Sequence, residues 1–319
     1  MNSKAIDYSG SISSPTQAII KETASDDSRV DMDTENVSPE ESPGKRHYLE
    51  IDNLNKIPLW LAPCNLVATL FQVLQAGFLF AFSSQIKMKW LIYTNYPSVD
   101  TSTLGANEYA KPDPHLLATY SITWYAGIFI IMNAIDHVLC VLPWTRPTYE
   151  YYIERSQNPI RWYEYGFSAS LMRVTIAQLA GVTDIHLLVC IYFLTVCMIW
   201  FGIMHEKLNA KARADGYTQD WTPFWMSWVA QLVAWIIIFL YFFSGIKHGA
   251  KSSFETTIVF LLFVLDAGFA VVFTLQWRKI GVFKDFMIGE FAFILLSFTA
   301  KSFLAWISFA GIATQGRHG

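Results

Sequence analysis

Residues 286–311 read FMIGEFAFILLSFTAKSFLAWISFAG. About 20 predominantly apolar residues cross the hydrocarbon core of a bilayer, and this run is longer, so it reads as a membrane-spanning helix. Lys301 sits near its middle. An ammonium at that depth costs at least about 2.5 kcal/mol on insertion scales. A lysine so placed has a partner anion, a covalent use for its amine, or a stem long enough to snorkel to an interface. More than two turns of apolar helix on either side make snorkelling awkward, so the amine is the first candidate functional group.

The rest of the composition agrees with a membrane setting. Of 319 residues, 53% are hydrophobic, 16% aromatic and only 15% charged, where an ordinary soluble domain carries about a quarter charged. Mean hydropathy is +0.30. The chain reads as an all-α, multi-pass integral protein of the lipid bilayer. A net charge of −3 gives no footing for a nucleic-acid partner. Cys64, Cys140, Cys190 and Cys197 all fall in apolar segments and read as packing residues, with no disulfide framework. Neither a catalytic constellation nor a metal set emerges, so no enzyme is expected.

Residues 1–50 differ in kind. Nine acids face Lys4, Lys21 and Arg29 across residues 1–44, among Ser, Thr and Pro. Such a segment buries too little apolar surface to order itself and reads as a disordered acidic tail, with no cleavable signal. Residues 51–315 form the membrane domain. Its seven apolar runs lie at about 58–83, 116–142, 159–182, 185–206, 222–246, 254–277 and 285–313. The long connection 86–114 alternates in a way that predicts a β-hairpin outside the membrane.

Lys and Arg in the connections set orientation. Twelve lie on the side of the N-terminus, from Lys45 and Arg46 to Arg278, Lys279 and Lys284; six lie on the other, Lys87, Lys89, Lys111, Lys247, Lys251 and Arg317. The N-terminus is therefore expected in the cytoplasm and the C-terminus outside.

Seven helices with a mid-membrane lysine on the last suggest a retinal protein, and the inverted orientation narrows the choice. The third run opens with Asn158-Pro159-Ile160-Arg161-Trp162-Tyr163-Glu164-Tyr165-Gly166-Phe167-Ser168-Ala169-Ser170-Leu171-Met172. It resembles the heliorhodopsin pattern NPxRWxEYSxSxSxM. SFTAK ending at Lys301, AIDH ending at His137, FA…LQW from Phe269 to Trp277 and NLVA…Q from Asn65 to Gln72 are also similar to family stretches. The resemblance covers residues 58–313 and implies a rhodopsin-like bundle holding all-trans retinal covalently on Lys301 as a protonated Schiff base. It also implies a homodimer.

The same resemblance assigns the counterion to Glu164. At 4 Å and an effective dielectric of about 20, a carboxylate contributes about 4 kcal/mol to a neighbouring cation before desolvation. Read from spacing alone, Glu164 has an equal alternative as an interfacial partner of Arg161, three residues earlier. Ser297 lies one turn from Lys301 toward the cytoplasmic side, and Ser168 one turn beyond Glu164. His137 lies near the inner end of the second run; the resemblance puts it in a hydrated polar cavity, whereas a lone histidine is otherwise a structural one. Met172, Trp235 and Phe269 resemble pocket positions, with ordinary core packing as the alternative.

Departures bear on function. Gln72 stands where many heliorhodopsins carry histidine, and an amide accepts no proton near neutral pH. Ser297 and Thr175 occupy the two places where microbial pumps carry acids, which disfavours a pump of that design. Yet Arg161, Arg173, Asp266 and Glu290 are further ionisable groups in or beside apolar runs, and such groups mark ion or proton paths. Arg173 and Asp266 have the alternative of neutralising each other. The expectation is a light-absorbing photoreceptor that conducts protons on illumination, against a pure photosensor that signals to an unidentified partner. A transporter or receptor without chromophore is the outside reading.

Overall fold

The computed structural model describes residues 51, 53–83, 89–97, 112–249 and 253–315. The expected acidic tail, and residues 84–88 and 98–111 of the expected outer loop, lie outside the described residues. The elements in chain order are α1 Leu61–Ser83, β1 Trp90–Pro97, β2 Pro112–Tyr120, α2 Ile122–Leu139, α3 Arg146–Glu154, α4 Pro159–Ala180, α5 Ile185–Asp215, α6 Thr222–Lys247, α7 Ser253–Trp277 and α8 Phe286–Gln315. A single 3₁₀ turn, Gly281–Lys284, precedes α8.

Among the described residues, six helices are long and apolar enough to cross a membrane: α1, α2, α5, α6, α7 and α8. The outlier among the long helices is α4, read from sequence as the third span. Arg161, Glu164 and Arg173 dilute its apolar content, and its buried face carries more polar groups than any neighbour.

The second apolar run is shorter than expected. It was predicted over 116–142, but α2 starts at Ile122 because residues through Tyr120 pair as β2 against β1. Trp90 stands opposite Tyr120 and Pro97 opposite Pro112, with a bulge between Ile92 and Tyr93. An apolar stretch looks alike as strand or helix, and only the partner strand decides. The fourth run has the opposite error. α5 continues past 206 to Asp215, because the polar stretch after Glu206 is made of good helix formers, and it stops at Gly216 with φ +81. α3 is a short amphipathic helix missing from the expected set. It buries Tyr149 and Ile153 against Leu61, Phe286 and Met287.

The main core runs between α2, α4, α5, α6 and α8, through Phe129, Ala177, Ile191, Ile238 and Leu304. A second, aromatic core of Trp162, Tyr165, Phe273, Trp277 and Phe293 lies between α4, α7 and α8. Outward faces remain apolar, as with Leu74, Phe193, Val229 and Leu240, which suits lipid contact.

Candidate functional site

The start of α4 explains its motif. Asn158 caps the helix by accepting from the Arg161 backbone N–H at 3.2 Å, and Pro159 follows in the first turn, where no intrahelical N–H is needed. The Asn158 amide donates to Glu290 Oε2 at 2.7 Å, and its backbone N–H to Glu206 Oε2 at 2.7 Å. Arg161 bridges the same two acids, donating to Glu206 Oε1 at 2.8 Å and to Glu290 Oε1. Gln276 adds a donor to Glu290 at 3.1 Å. One cation thus faces two buried carboxylates, with Phe293 4.1 Å beneath its guanidinium carbon. Arg161 does not pair with Glu164. Glu290, eleven residues before Lys301 on the same helix, serves this cluster and makes no contact with the lysine.

Three residues after Arg161, less than one turn along α4, Glu164 turns to α8. Lys301 Nζ donates to both its oxygens, at 2.8 and 2.9 Å. Both side chains are sealed, Lys301 at 3% and Glu164 at 7% exposure. Lys301 also donates to Asn133 Oδ1 at 2.7 Å, and Ser297 reaches the same oxygen at 3.3 Å. The ring of Tyr165 lies 5.0 Å from Nζ. α2, α4 and α8 each supply one side of this site.

Behind Asn133, one turn along α2, His137 Nδ1 meets Asn65 Oδ1 of α1 at 2.8 Å. Gln72, Asp136 and Ser168 are buried as well. Among the described residues, both Gln72 amide atoms, Asn133 Nδ2, Asp136 Oδ1, His137 Nε2 and Ser168 Oγ have no hydrogen-bond partner. The Ser168 hydroxyl therefore does not bond Glu164.

A mostly apolar cavity is lined by Lys301 and Ala300 of α8, by Met172 and Phe269, and by Ser227 and Gln231 of α6. Trp235, grouped with Met172 and Phe269 from sequence, does not line it. Its indole N–H instead donates to Asp266 Oδ2 at 2.8 Å, and Arg173 stacks 4.9 Å over its ring. Arg173 and Asp266 are themselves paired at 2.7 Å.

Asn133, Tyr165, Glu206 and Gln231 were not singled out from the sequence. Asn133 had a signal, an amide one turn before His137 in an otherwise apolar run. Glu206 was hidden at the presumed end of its helix, where an acid looks solvated.

A family model described as Heliorhodopsin matches residues 61–313. The fold is similar to the crystal structure of Exiguobacterium sibiricum rhodopsin, at 14% identity and TM-score 0.53, covering 82% of this chain and 99% of that one. It is also similar to the light-driven proton pump LR (Mac) from Leptosphaeria maculans, at 11% identity and TM-score 0.54, covering 82% and 98%. At such identities these two likenesses speak for the fold alone. No curated protein matches the chain. The family match takes in the capped start of α4, the buried lysine of α8 and every helix between, and by it the chain belongs to the heliorhodopsin family.

Proposed function

We propose that this chain is a retinal photoreceptor in which Lys301 carries all-trans retinal as a protonated Schiff base and Glu164 is the counterion. The observation that carries the reading is the sealed contact of Lys301 Nζ with both Glu164 oxygens beside a mostly apolar cavity that Lys301 lines. Family membership supports the chromophore class. The residues present fit it: an amine, with Met172 and Phe269 in the apolar lining. When bound, retinal supplies light absorption and a light-driven isomerisation. Glu164 holds the compensating charge, and Asn133 and Ser297 orient the nitrogen through a shared oxygen.

In the bilayer, α4 serves as a seventh span, so the N-terminus is cytoplasmic and the C-terminus outside. Glu164, His137, Gln72, Asp136 and Ser168 then lie in the cytoplasmic half. Their unpaired buried atoms are the kind that ordered water satisfies, which supports a hydrated pocket for a displaced proton. A proton accepted by the Glu164 carboxylate on illumination passes on toward the Arg161, Glu206 and Glu290 cluster, with Asp266 and Arg173 the ionisable groups of the outer half. Buried charge on both sides of Lys301 supports conduction. The pure sensor remains the second reading, favoured by Ser297 and Thr175 where pumps carry acids. The hairpin β1–β2 contributes to a homodimer outside.

Adding all-trans retinal to the expressed protein tests the first claim. A visible band is expected, lost in Lys301→Ala, with borohydride fixing a retinyl group on Lys301; no band and no adduct defeats it. Patch-clamp under illumination separates the two activities. A current reversing with the proton gradient supports conduction, and silence at every voltage leaves the sensor.

A further inference from the structure

One wall of the cavity carries further charge. Arg173 on α4 donates to Asp266 Oδ1 at 2.7 Å and to Gln231 Oε1 at 3.0 Å. Gln231 Nε2 and Trp235 Nε1 both donate to Asp266 Oδ2, the latter at 2.8 Å. Arg173, Gln231 and Asp266 all line the cavity that Lys301 lines. Arg173 is 3% exposed, whereas Asp266 keeps 22% of its side chain exposed.

Asp266 keeps acceptor capacity at this wall. A carboxylate oxygen accepts two hydrogen bonds, and Asp266 Oδ1 receives one here. The Trp235 indole has committed its single donor to Asp266, and the Gln231 amide one of its two N–H groups. Arg173 Nη1, a donor without a hydrogen-bond partner, is buried. What Asp266 offers is a charged acceptor with one position unused. A plain hydrocarbon ring pressed against it removes solvent from a charged oxygen and returns nothing. A hydroxyl returns a charge-assisted hydrogen bond.

We propose that the cavity selects a retinal whose ring bears a hydroxyl group, with Asp266 as the acceptor and Arg173, Gln231 and Trp235 as positioning residues. The proposal rests on the retinal reading of Lys301. If the ion pair serves only to neutralise itself, the ring substituent makes no difference.

The test uses the full-length protein, titrated separately with all-trans-retinal, all-trans-3-hydroxyretinal and all-trans-4-oxoretinal, following growth of the visible band. The hydroxylated form is expected to half-saturate at about one tenth the concentration of retinal, the factor one hydrogen bond to a charged group supplies. The keto form, an acceptor only, gains nothing from Asp266 and is expected to half-saturate at a higher concentration than the hydroxylated form. The double variant Arg173→Met/Asp266→Leu should still form pigment with retinal and lose the tenfold preference. A second readout needs no variant: the Asp266 carboxylate stretch in infrared difference spectra shifts when 3-hydroxyretinal replaces retinal. Equal half-saturation for all three, a preference retained in the double variant, or an unmoved carboxylate band overturns the proposal. Failure to form pigment with any of the three instead defeats the retinal reading beneath it.

Discussion

Lys301 and Glu164 are two charges removed from water, and each is tolerable only because of the other. Their separation of 2.8 Å and the added oxygen of Asn133 offset desolvation that neither bears alone. If Glu164 is the counterion of a bound chromophore, Glu164→Gln removes the anion that holds positive charge at the nitrogen end. The visible band of that variant is expected at longer wavelength; a spectrum unchanged at neutral pH removes Glu164 from the role. Arg161 is the second case. Arg161→Met leaves Glu206 and Glu290 buried without their cation, a loss of about 3–5 kcal/mol, read as a lower thermal midpoint of the helical signal. A midpoint within a degree of the parent means the cluster is wetter than its burial suggests. Lys301 was legible in the sequence because a charge at the centre of a long apolar run has no ordinary explanation. Its contact with Asn133 was not, because which faces of α2 and α8 meet depends on helix rotation that no single run encodes.

Elements were legible where their ends carry chemistry and illegible where a partner decides. Asn158 and Pro159 mark the start of α4 in the sequence, and Gly181 with φ +109 marks its end. Nothing local marks the boundary between β2 and α2, since pairing with β1 makes it. The hairpin is held at its other side by Asp184, which does two jobs. Its Oδ1 caps α5, accepting from His186 and Leu187 N–H at 2.9 and 3.1 Å, while Oδ2 accepts from Asn95 on β1 at 2.6 Å. Asp184→Ala therefore removes a helix cap worth about 1 kcal/mol and releases the strand. Hydrogen exchange in β1 should rise along with a lower midpoint; a change in the midpoint alone limits Asp184 to capping. Close approach of helices gives a further case. A Cβ added at Gly202 on α5 would strike the Trp162 ring, itself packed against Phe273 and Phe293. Gly202→Ala is expected to cost about 1–3 kcal/mol in thermal stability; a neutral result means the Trp162 indole has room to turn.

For the whole molecule the open matter is whether α4 crosses the bilayer, and the answer fixes the position of everything after it. Among the described residues, six helices meet length and apolarity on their own, and α4 does not. Its charged face is nonetheless matched by neighbours: Glu206 and Glu290 for Arg161, Lys301 for Glu164, Asp266 for Arg173. A helix whose charges are all answered inside the bundle can span without meeting lipid through them. On the proposed topology the hairpin lies outside and the turn before α8 in the cytoplasm. Single cysteines at His115 in β2 and at Lys284 before α8, both exposed, test this with a membrane-impermeant maleimide. His115→Cys should react in intact cells and Lys284→Cys only after permeabilisation. If α4 turned back instead of crossing, every later connection would change sides. Lys284→Cys would then react in intact cells together with His115→Cys, and the salt-bridged face of α4 would have failed as a substitute for apolar length.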